Sequence, residues 1–420
     1  PNWLVIGSPG NEDQGLDAGA AYLYEVDDLG QWQLHRKVKA FIGTPEEEFG
    51  ACMDLVGGRL VIGTNARSEP DVAGSVWLYD YSDGSWQEDV PLVPVQIQTP
   101  ASYAFPDDLQ RPGGYFGWGV AADGAWAMAT SPLEQAPSAP RVHFLRASGD
   151  EWGVTQSTPH ASTVTPSIFG FSLDMAGDLA VLGDPNGLVD ATGERSGYIH
   201  AYAYDGTTGL WEPLDGFLNF GLNDGAQVGC DVAVQAAASD GSHGERGVIG
   251  AFGVNNNDGA VFVISGEGQV DQIDPPVSGQ AGGFGRSVSV LGNLLAVGSR
   301  PSVFNDGTQI EPEVYLYLYD QSNDAWVHQQ TISDPRPNTS GSSESSFGIE
   351  VQLARDPGAG RGGASPWADV NLLVGAPGAN DAFDQVGVIY SYRPTGAGSA
   401  PFELHQILRS GTPAPGNYFG

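Results

Sequence analysis

The sequence is poor in lysine, in cysteine and in long apolar runs, and each shortage excludes a class of protein. Lys37 and Lys39 are the lysines, and 17 basic residues stand against 51 acidic ones, a net charge of −34. Because phosphates and anionic lipids are bound by basic residues, this balance excludes a general nucleic-acid binder and argues against docking on an anionic membrane. Two cysteines exclude a disulfide scaffold and a cysteine-ligated zinc framework. No apolar run approaches the roughly 20 residues that cross a membrane, so membrane insertion is not expected.

Glycine is abundant, with 60 residues, and much of it belongs to an internal repeat. A Phe-Gly pair recurs about every 60 residues, at Phe49, Phe116, Phe169, Phe284, Phe347 and Phe419, with Val228-Gly229 in the one remaining place. A second mark follows the pair, a short apolar strand that runs into glycine and small residues. It occupies residues 5–9, 61–65, 182–185, 248–252, 297–301 and 374–378, and Thr130 replaces its glycine in one degenerate copy.

The rest of each unit is a strand of alternating aromatic residues, a turn rich in Asp, Gly and Ser, and a strand that starts with an aromatic residue. Residues 76–81 and Trp86 show this order. Alternation with period two is typical of β-strands, and no helical period is present. Four strands per unit and seven units predict an all-β, seven-bladed propeller of four-stranded antiparallel blades, a single domain over residues 1–420.

The order of the marks predicts that the N- and C-terminal segments share one blade. The chain begins at the second strand of a blade, near residues 4–7, and ends at Phe419-Gly420, which would open the first strand of that blade. Two interpretations stay open. The sequence is excised from a longer polypeptide within that strand, or a strand from another chain completes the blade.

The two marks resemble the FG-GAP repeat of integrin α-subunit propellers, and the bacterial secreted subtype most of all. The residues that carry the resemblance are 284–288 (FGRSV) and 374–377 (VGAP). The resemblance implies a propeller, an extracellular setting, adhesion, and calcium in the loops after Gly-Ala-Pro. No loop here has the full DxDxDGxxD pattern of those calcium sites.

Two acidic loops are candidates for calcium, because this ion prefers clustered carboxylate and carbonyl oxygens. The candidate ligands are Asn11, Asp13 and Asp17 in one loop, and Asn380, Asp381 and Asp384 in the other. The alternative is that these are solvated turn residues, which the chain uses throughout.

Four acidic residues follow the Phe-Gly marks on the predicted inner strands: Asp54, Asp174, Asp231 and Glu350. One hypothesis is a polar ring around the central channel. The favoured alternative is that each carboxylate caps local backbone donors or is screened by channel water, because a catalytic carboxylate pair needs a defined separation that a sequence does not show.

An aromatic patch is the candidate for partner binding on the face that carries the long loops. It consists of Tyr103, Phe105, Tyr115 and Trp118. Exposed aromatic rings on loops suit a protein or glycan ligand. The alternative is a loop that packs over the channel mouth.

The sequence carries no HExxH, GxSxG or phosphate-loop motif. It therefore predicts a non-enzymatic binding or adhesion module that recognises a protein or a glycan. One alternative is a structural subunit of an extracellular filament or matrix, completed by a neighbouring subunit. A second alternative is an enzyme with its site in the axial cleft. The acidic residues are spread over every blade, which favours an extracellular or cell-surface location.

Overall fold

The computed structural model describes residues 3–420 apart from 28, 40–44, 65–73, 82–94, 98–115, 133–139, 149–150, 161–167, 188–194, 215–219, 221, 240, 280–281, 304–308, 337–345, 356–366, 368, 380–385, 396–401 and 412. The described residues form seven antiparallel blades, six of four strands and one of three, with almost no helix. The predicted seven-bladed propeller is confirmed.

The strands follow the repeat in chain order. Blade 1 has β1 (Trp3–Ser8), β2 (Ala20–Val26) and β3 (Trp32–Val38). Blade 2 has β4 (Cys52–Val56), β5 (Arg59–Thr64), β6 (Ser75–Asp80) and β7 (Val95–Ile97). Blade 3 has β8 (Val120–Asp123), β9 (Trp126–Ser131), β10 (Arg141–Ser148) and β11 (Glu151–Pro159). Blade 4 has β12 (Ser172–Ala176), β13 (Leu179–Asp184), β14 (Tyr198–Asp205) and β15 (Leu210–Pro213).

Blade 5 has β16 (Val228–Gln235), β17 (Arg246–Ala251), β18 (Ala260–Ser265) and β19 (Val270–Ile273), with a short turn α1 (Val254–Asn257). Blade 6 has β20 (Ser287–Leu291), β21 (Leu294–Gly298), β24 (Glu313–Asp320) and β25 (Ala325–Ser333), and a small hairpin of β22 (Ser302–Val303) and β23 (Gln309–Ile310). Blade 7 has β26 (Glu350–Arg355), β27 (Val370–Ala376), β28 (Val388–Pro394) and β29 (Phe402–Leu408).

The first strands of blades 2 to 7 lie side by side in chain order, so they surround the axis of the ring. Blade 1 lies next to blade 7 and is the blade that the two chain ends were predicted to share. The amide of Gly420 donates to the carbonyl of Gly7 at 3.1 Å, and the Ser8 hydroxyl donates to the carbonyl of Asn417 at 2.7 Å. Both chain ends therefore lie in blade 1.

The two sequence marks meet at each blade boundary. The Phe-Gly glycine has a left-handed φ, as at Gly50 (85°) and Gly285 (86°). The glycine of the second mark lies against this turn in the next blade, and a Cβ on Gly7 would collide with the carbonyl oxygen of Gly50. In the degenerate copy, the Thr130 hydroxyl donates to the carbonyl of Gly170 at 2.9 Å instead. The repeat therefore conserves the close approach of two backbones, which glycine permits.

The phenylalanine of the mark is buried and meets an aromatic ring of the third strand edge to face. We call this place the paired aromatic position. The Phe49 and Trp77 rings lie 6.0 Å apart at 74°. The residues at this position with such a contact are Tyr22, Trp77, His143, His200, Tyr315 and Tyr390. Edge-to-face pairs add about 1 kcal/mol each to the burial of the rings.

Glutamines on the outer strands link adjacent blades, a feature that the sequence did not suggest. Gln156 of blade 3 accepts from the amide of Trp211 at 2.8 Å and donates to its carbonyl at 2.7 Å. Gln330 makes the same pair of bonds with Phe402, and Gln406 with Trp32. Each of these glutamine latches follows a β-bulge, which turns the side chain toward the next blade.

Candidate functional site

Acidic side chains on the inner strands reach from one blade to the next. Asp54 accepts from the amide of Ala122 at 2.7 Å, and Asp174 accepts from the amide of Val234 at 2.6 Å. Asp231 accepts from the amide of Val288 at 2.7 Å. Asp174 and Asp231 also cap the amides of the residues that follow them, at 2.8 and 3.0 Å. These three carboxylates are clamps between inner strands; the favoured alternative expected local capping, which Asp174 and Asp231 also show, and did not foresee the bonds to the next blade.

Asp174 lies close enough to Asp54 and Asp231 for their charges to raise its pKa. Burial raises the pKa of Asp54 to about 6. Burial and then the charge of Asp54 raise the pKa of Asp174 to about 8, although two amides that donate to it act in the opposite direction. A carboxyl group with such a neighbour keeps its proton near neutral pH, because two negative charges in a low-dielectric site repel each other.

Glu350 and Arg286 complete the axial cluster, which we define as Asp231, Arg286 and Glu350. Glu350 is reachable by solvent but is enclosed by the surrounding protein inside the ring, and Arg286 is half-buried. Burial and then the charge of Asp231 raise the pKa of Glu350, while the Arg286 guanidinium lowers it. Burial also raises the pKa of Asp231, and its amide donors and Arg286 lower it. The cluster thus joins a clamped carboxylate, a fixed positive charge and a carboxyl group that exchanges its proton near neutral pH.

A second cluster lies between blades 3 and 4, and we call it the histidine cluster. It consists of His160, just after β11, with Asp184 at the end of β13 and His200 on β14. Their ligand atoms all lie within 4.8 Å of one another, so these side chains form a possible metal-binding triad. Asp184 and His200 are 2% and 5% exposed, while His160 is half-buried.

Aromatic packing orients the rings of the histidine cluster. His160 stacks on Phe169 with centroids 4.5 Å apart and an interplanar angle of 1°. His200 meets both rings edge to face, at 4.5 Å from His160 and 4.9 Å from Phe169. Burial lowers the pKa of His160 to about 4 and that of His200 to about 3. Both imidazoles are therefore neutral at physiological pH.

The sequence reasoning missed the histidine cluster because its members are far apart in the chain and belong to two blades. It found no metal constellation among the seven histidines. The sequence did carry one signal of the cluster, because His200 and His143 stand at the paired aromatic position, where the other blades have Phe, Tyr or Trp. That signal does not distinguish the two histidines, which have different surroundings.

The first predicted calcium loop holds a different pairing. Asp13 forms ion pairs with Lys37 at 2.7 Å and with Lys39 at 2.6 Å, and these two lysines lower its pKa. The side-chain oxygen of Asn11 accepts from the amide of Asp13 at 3.3 Å, and Asp17 has a left-handed φ of 47°. Calcium at this loop stays a prediction, and both lysines of the chain already lie on its central carboxylate.

The remaining predicted site residues are mostly outside the described part of the chain. Asn380, Asp381 and Asp384 of the second calcium loop lie there, as do Tyr103, Phe105 and Tyr115 of the aromatic patch. Trp118 is described: it is half-buried, and its ring lies 6.1 Å from that of Phe171 on the next blade. Binding of a protein, a glycan or a neighbouring subunit stays a prediction.

Comparison with solved structures finds the same ring in proteins named as lactonases. A candidate 6-phosphogluconolactonase from Bacteroides uniformis matches with a TM-score of 0.58 and 11% identity, over 98% of this chain and 97% of that one. The periplasmic gluconolactonase of Pseudomonas aeruginosa matches with a TM-score of 0.56 and 15% identity, over the same shares. No family model and no curated protein matches the sequence. At these identities the likeness shows the fold.

This comparison contradicts the prediction of a non-enzymatic binding or adhesion module. The prediction rested on absent catalytic motifs, and proteins with this ring carry the names of enzymes. Motifs such as HExxH describe catalytic groups that lie close together in sequence. A propeller brings its groups together from different blades, so their absence does not argue against an enzyme. The comparisons likewise give no support to membership of the FG-GAP family.

Among the described residues, no helix is long and apolar enough to span a bilayer.

Proposed function

We propose that this chain is a hydrolase that opens lactone rings at the axial cluster. The observation that carries the proposal is the electrostatic contact of Glu350 with both Asp231 and Arg286 inside the ring. The names of two structural neighbours, 6-phosphogluconolactonase and gluconolactonase, support a sugar-derived lactone as the substrate class.

Hydrolysis of a lactone needs a base for the attacking water, a stabilised oxyanion and a proton for the departing ring oxygen. Ionised Glu350 is suited to take a proton from the water molecule while the oxygen of that water bonds to the carbonyl carbon of the lactone. It returns this proton to the ring oxygen when the ring C–O bond breaks. Arg286 offers a permanent positive charge to the tetrahedral oxyanion. A catalytic acid–base group works best when its pKa lies near the operating pH, and the environment raises the pKa of Glu350 in that direction.

Asp231 has a positioning role in this proposal. Its two oxygens accept the amides of Val232 and Val288, so it is not free to act on water. Its charge instead raises the proton affinity of Glu350. We expect an uncharged lactone to react faster than its phosphorylated form, because the net charge of −34 repels a phosphate.

The test is a pH-stat assay of ring opening with glucono-δ-lactone and its 6-phosphate, corrected for spontaneous hydrolysis. We expect E350Q to reduce the enzyme-dependent rate by roughly 100-fold or more, and R286Q to lower kcat. The matched control is Q352A, because Gln352 is the next exposed residue on the same face of β26. The proposal fails if the wild-type chain does not open the lactone faster than the spontaneous reaction does. It also fails if E350Q opens the lactone as fast as the wild type.

Three finer expectations belong to this proposal. An extracellular or periplasmic location is supported by the periplasmic neighbour and by the acidic surface. Descent from FG-GAP repeats is supported by the paired glycine marks. Calcium at Asn11, Asp13 and Asp17 would act outside the axial cluster, and a change of Tm with added calcium would test it.

A further inference from the structure

We infer that His160, Asp184 and His200 bind one divalent transition-metal ion between blades 3 and 4. The proposed hydrolysis does not use this site. Two imidazoles and one carboxylate form a donor set of the kind that binds zinc with three protein ligands. Calcium prefers six to eight oxygen ligands, so this set favours a transition metal over calcium.

The geometry needs little adjustment. In a tetrahedral zinc site with bonds of about 2.0–2.2 Å, donor atoms lie about 3.4 Å apart. The three donors here already lie within 4.8 Å of one another. Small side-chain rotations would close this difference. His160 is half-buried, so the ion can enter from its side of the cluster.

Surrounding groups hold the donors in place. Phe169 is fully buried and packs against both imidazole rings, which fixes their planes. The amide of Ile168 donates to a carboxylate oxygen of Asp184 at 3.1 Å, which orients that side chain. Outer contacts of this kind support metal ligands and are costly to remove.

The repeat supplies an internal reference for the site. In blade 3, Ser131 takes the place of Asp184, and His143 takes the place of His200, by the same strand register. Both nitrogens of His143 lie within hydrogen-bond distance of serine hydroxyls, Ser131 at 3.2 Å and Ser157 at 3.1 Å. His143 is therefore committed to packing, whereas His200 faces two further donors.

The inference also predicts a mechanical role. His160 belongs to blade 3, and Asp184 and His200 belong to blade 4. A metal that binds all three ties blade 3 to blade 4, across the boundary that the Gln156 latch also spans. Because the ion binds only the folded arrangement, it raises the stability of the ring.

The test uses the whole chain after dialysis against a chelator. Titration with zinc chloride is followed by calorimetry and by Tm, and cobalt(II) is added separately to record its visible spectrum. We expect one equivalent of zinc, a higher Tm, and the visible absorption typical of tetrahedral cobalt(II). Two variants remove one donor each and insert a residue that another blade uses at that place. H200F copies Phe262 and D184S copies Ser131.

Each variant should weaken zinc binding by roughly tenfold or more and abolish the cobalt absorption, while H143F binds as the wild type does. H200F keeps an aromatic ring on Phe169, so its loss of binding is not a loss of fold. E350Q should bind zinc normally, which separates this site from the proposed hydrolase. The inference is overturned if the wild type takes up no stoichiometric zinc, or if H200F and D184S bind it unchanged.

Discussion

His143 in blade 3 and His200 in blade 4 occupy the same position of the repeat and have different neighbours. Each is buried, and each ring meets the phenylalanine of its blade edge to face. Serine hydroxyls surround His143, whereas a carboxylate and a second histidine stand beside His200. The comparison teaches that a repeat position fixes the packing of a side chain, and that its neighbours decide its chemistry.

The largest effect should come from deleting the packed histidine. H143A removes a buried ring and leaves the hydroxyls of Ser131 and Ser157 without their imidazole partner. Loss of packing and of two buried hydrogen bonds should cost about 3 kcal/mol of unfolding free energy. Urea denaturation measures it. A cost as small as that of an exposed substitution such as Q321A would show that His143 does not hold blade 3 together.

A smaller effect should come from the latch that joins the two blades. Q156A removes both hydrogen bonds to Trp211 and should cost about 2 kcal/mol. If the histidine cluster binds zinc across the same boundary, saturating zinc should stabilise both Q156A and the wild type. It should not stabilise the double variant Q156A/H200F, which lacks one of the zinc ligands. Denaturation curves with and without zinc decide this. An equal shift of the denaturation curve by zinc in all three proteins would contradict stabilisation through the histidine cluster.

The pH dependence of His143 should be smaller again. Burial lowers the pKa of His143 to about 3. Between pH 3 and pH 6.5 the imidazole therefore stays neutral in the folded protein, while the unfolded chain takes up a proton. This contribution to stability is present above pH 6.5 and is lost as the pH falls. At pH 5.5 the loss should be about 1.4 kcal/mol. H143F lacks the imidazole, so the difference in unfolding free energy between it and the wild type should narrow as the pH falls. An unchanged difference would contradict a lowered pKa of His143.

Asp174 should show a weaker dependence of the opposite sign. Blade 3 has Ala121 at the corresponding place on its inner strand, so D174A makes the two blades alike. The pKa of Asp174 is raised to about 8, so the folded protein must give up a tightly held proton as the pH rises. The cost of D174A should therefore be about 1 kcal/mol smaller at pH 8 than at pH 7. Thermal unfolding at both pH values measures it, and a cost that grows with pH would contradict the assignment.

Much of the fold could be predicted, and little of the candidate sites. Phe49, Gly50 and Gly63 recur with their relatives about every 60 residues, and most copies make the same contacts. The glutamine latches were overlooked because Gln156 looks like any polar residue on an outer strand until a bulge turns it toward Trp211. Asp54 and Asp174 were placed on the inner strands, but their bonds to amides of the next blade were not predicted, because the sequence does not show which backbone groups lie opposite.

Taken alone, the sequence determined the seven units, the order of strands within each and the sharing of blade 1 by the two chain ends. It could do so because the marks are local and repeat. The tertiary structure alone decided which side chains meet between blades. His160, Asp184 and His200 have no common spacing, and they come together because adjacent blades pack face to face. Glu350 and Arg286 meet Asp231 for a related reason, since the inner strands of three blades converge on one axis.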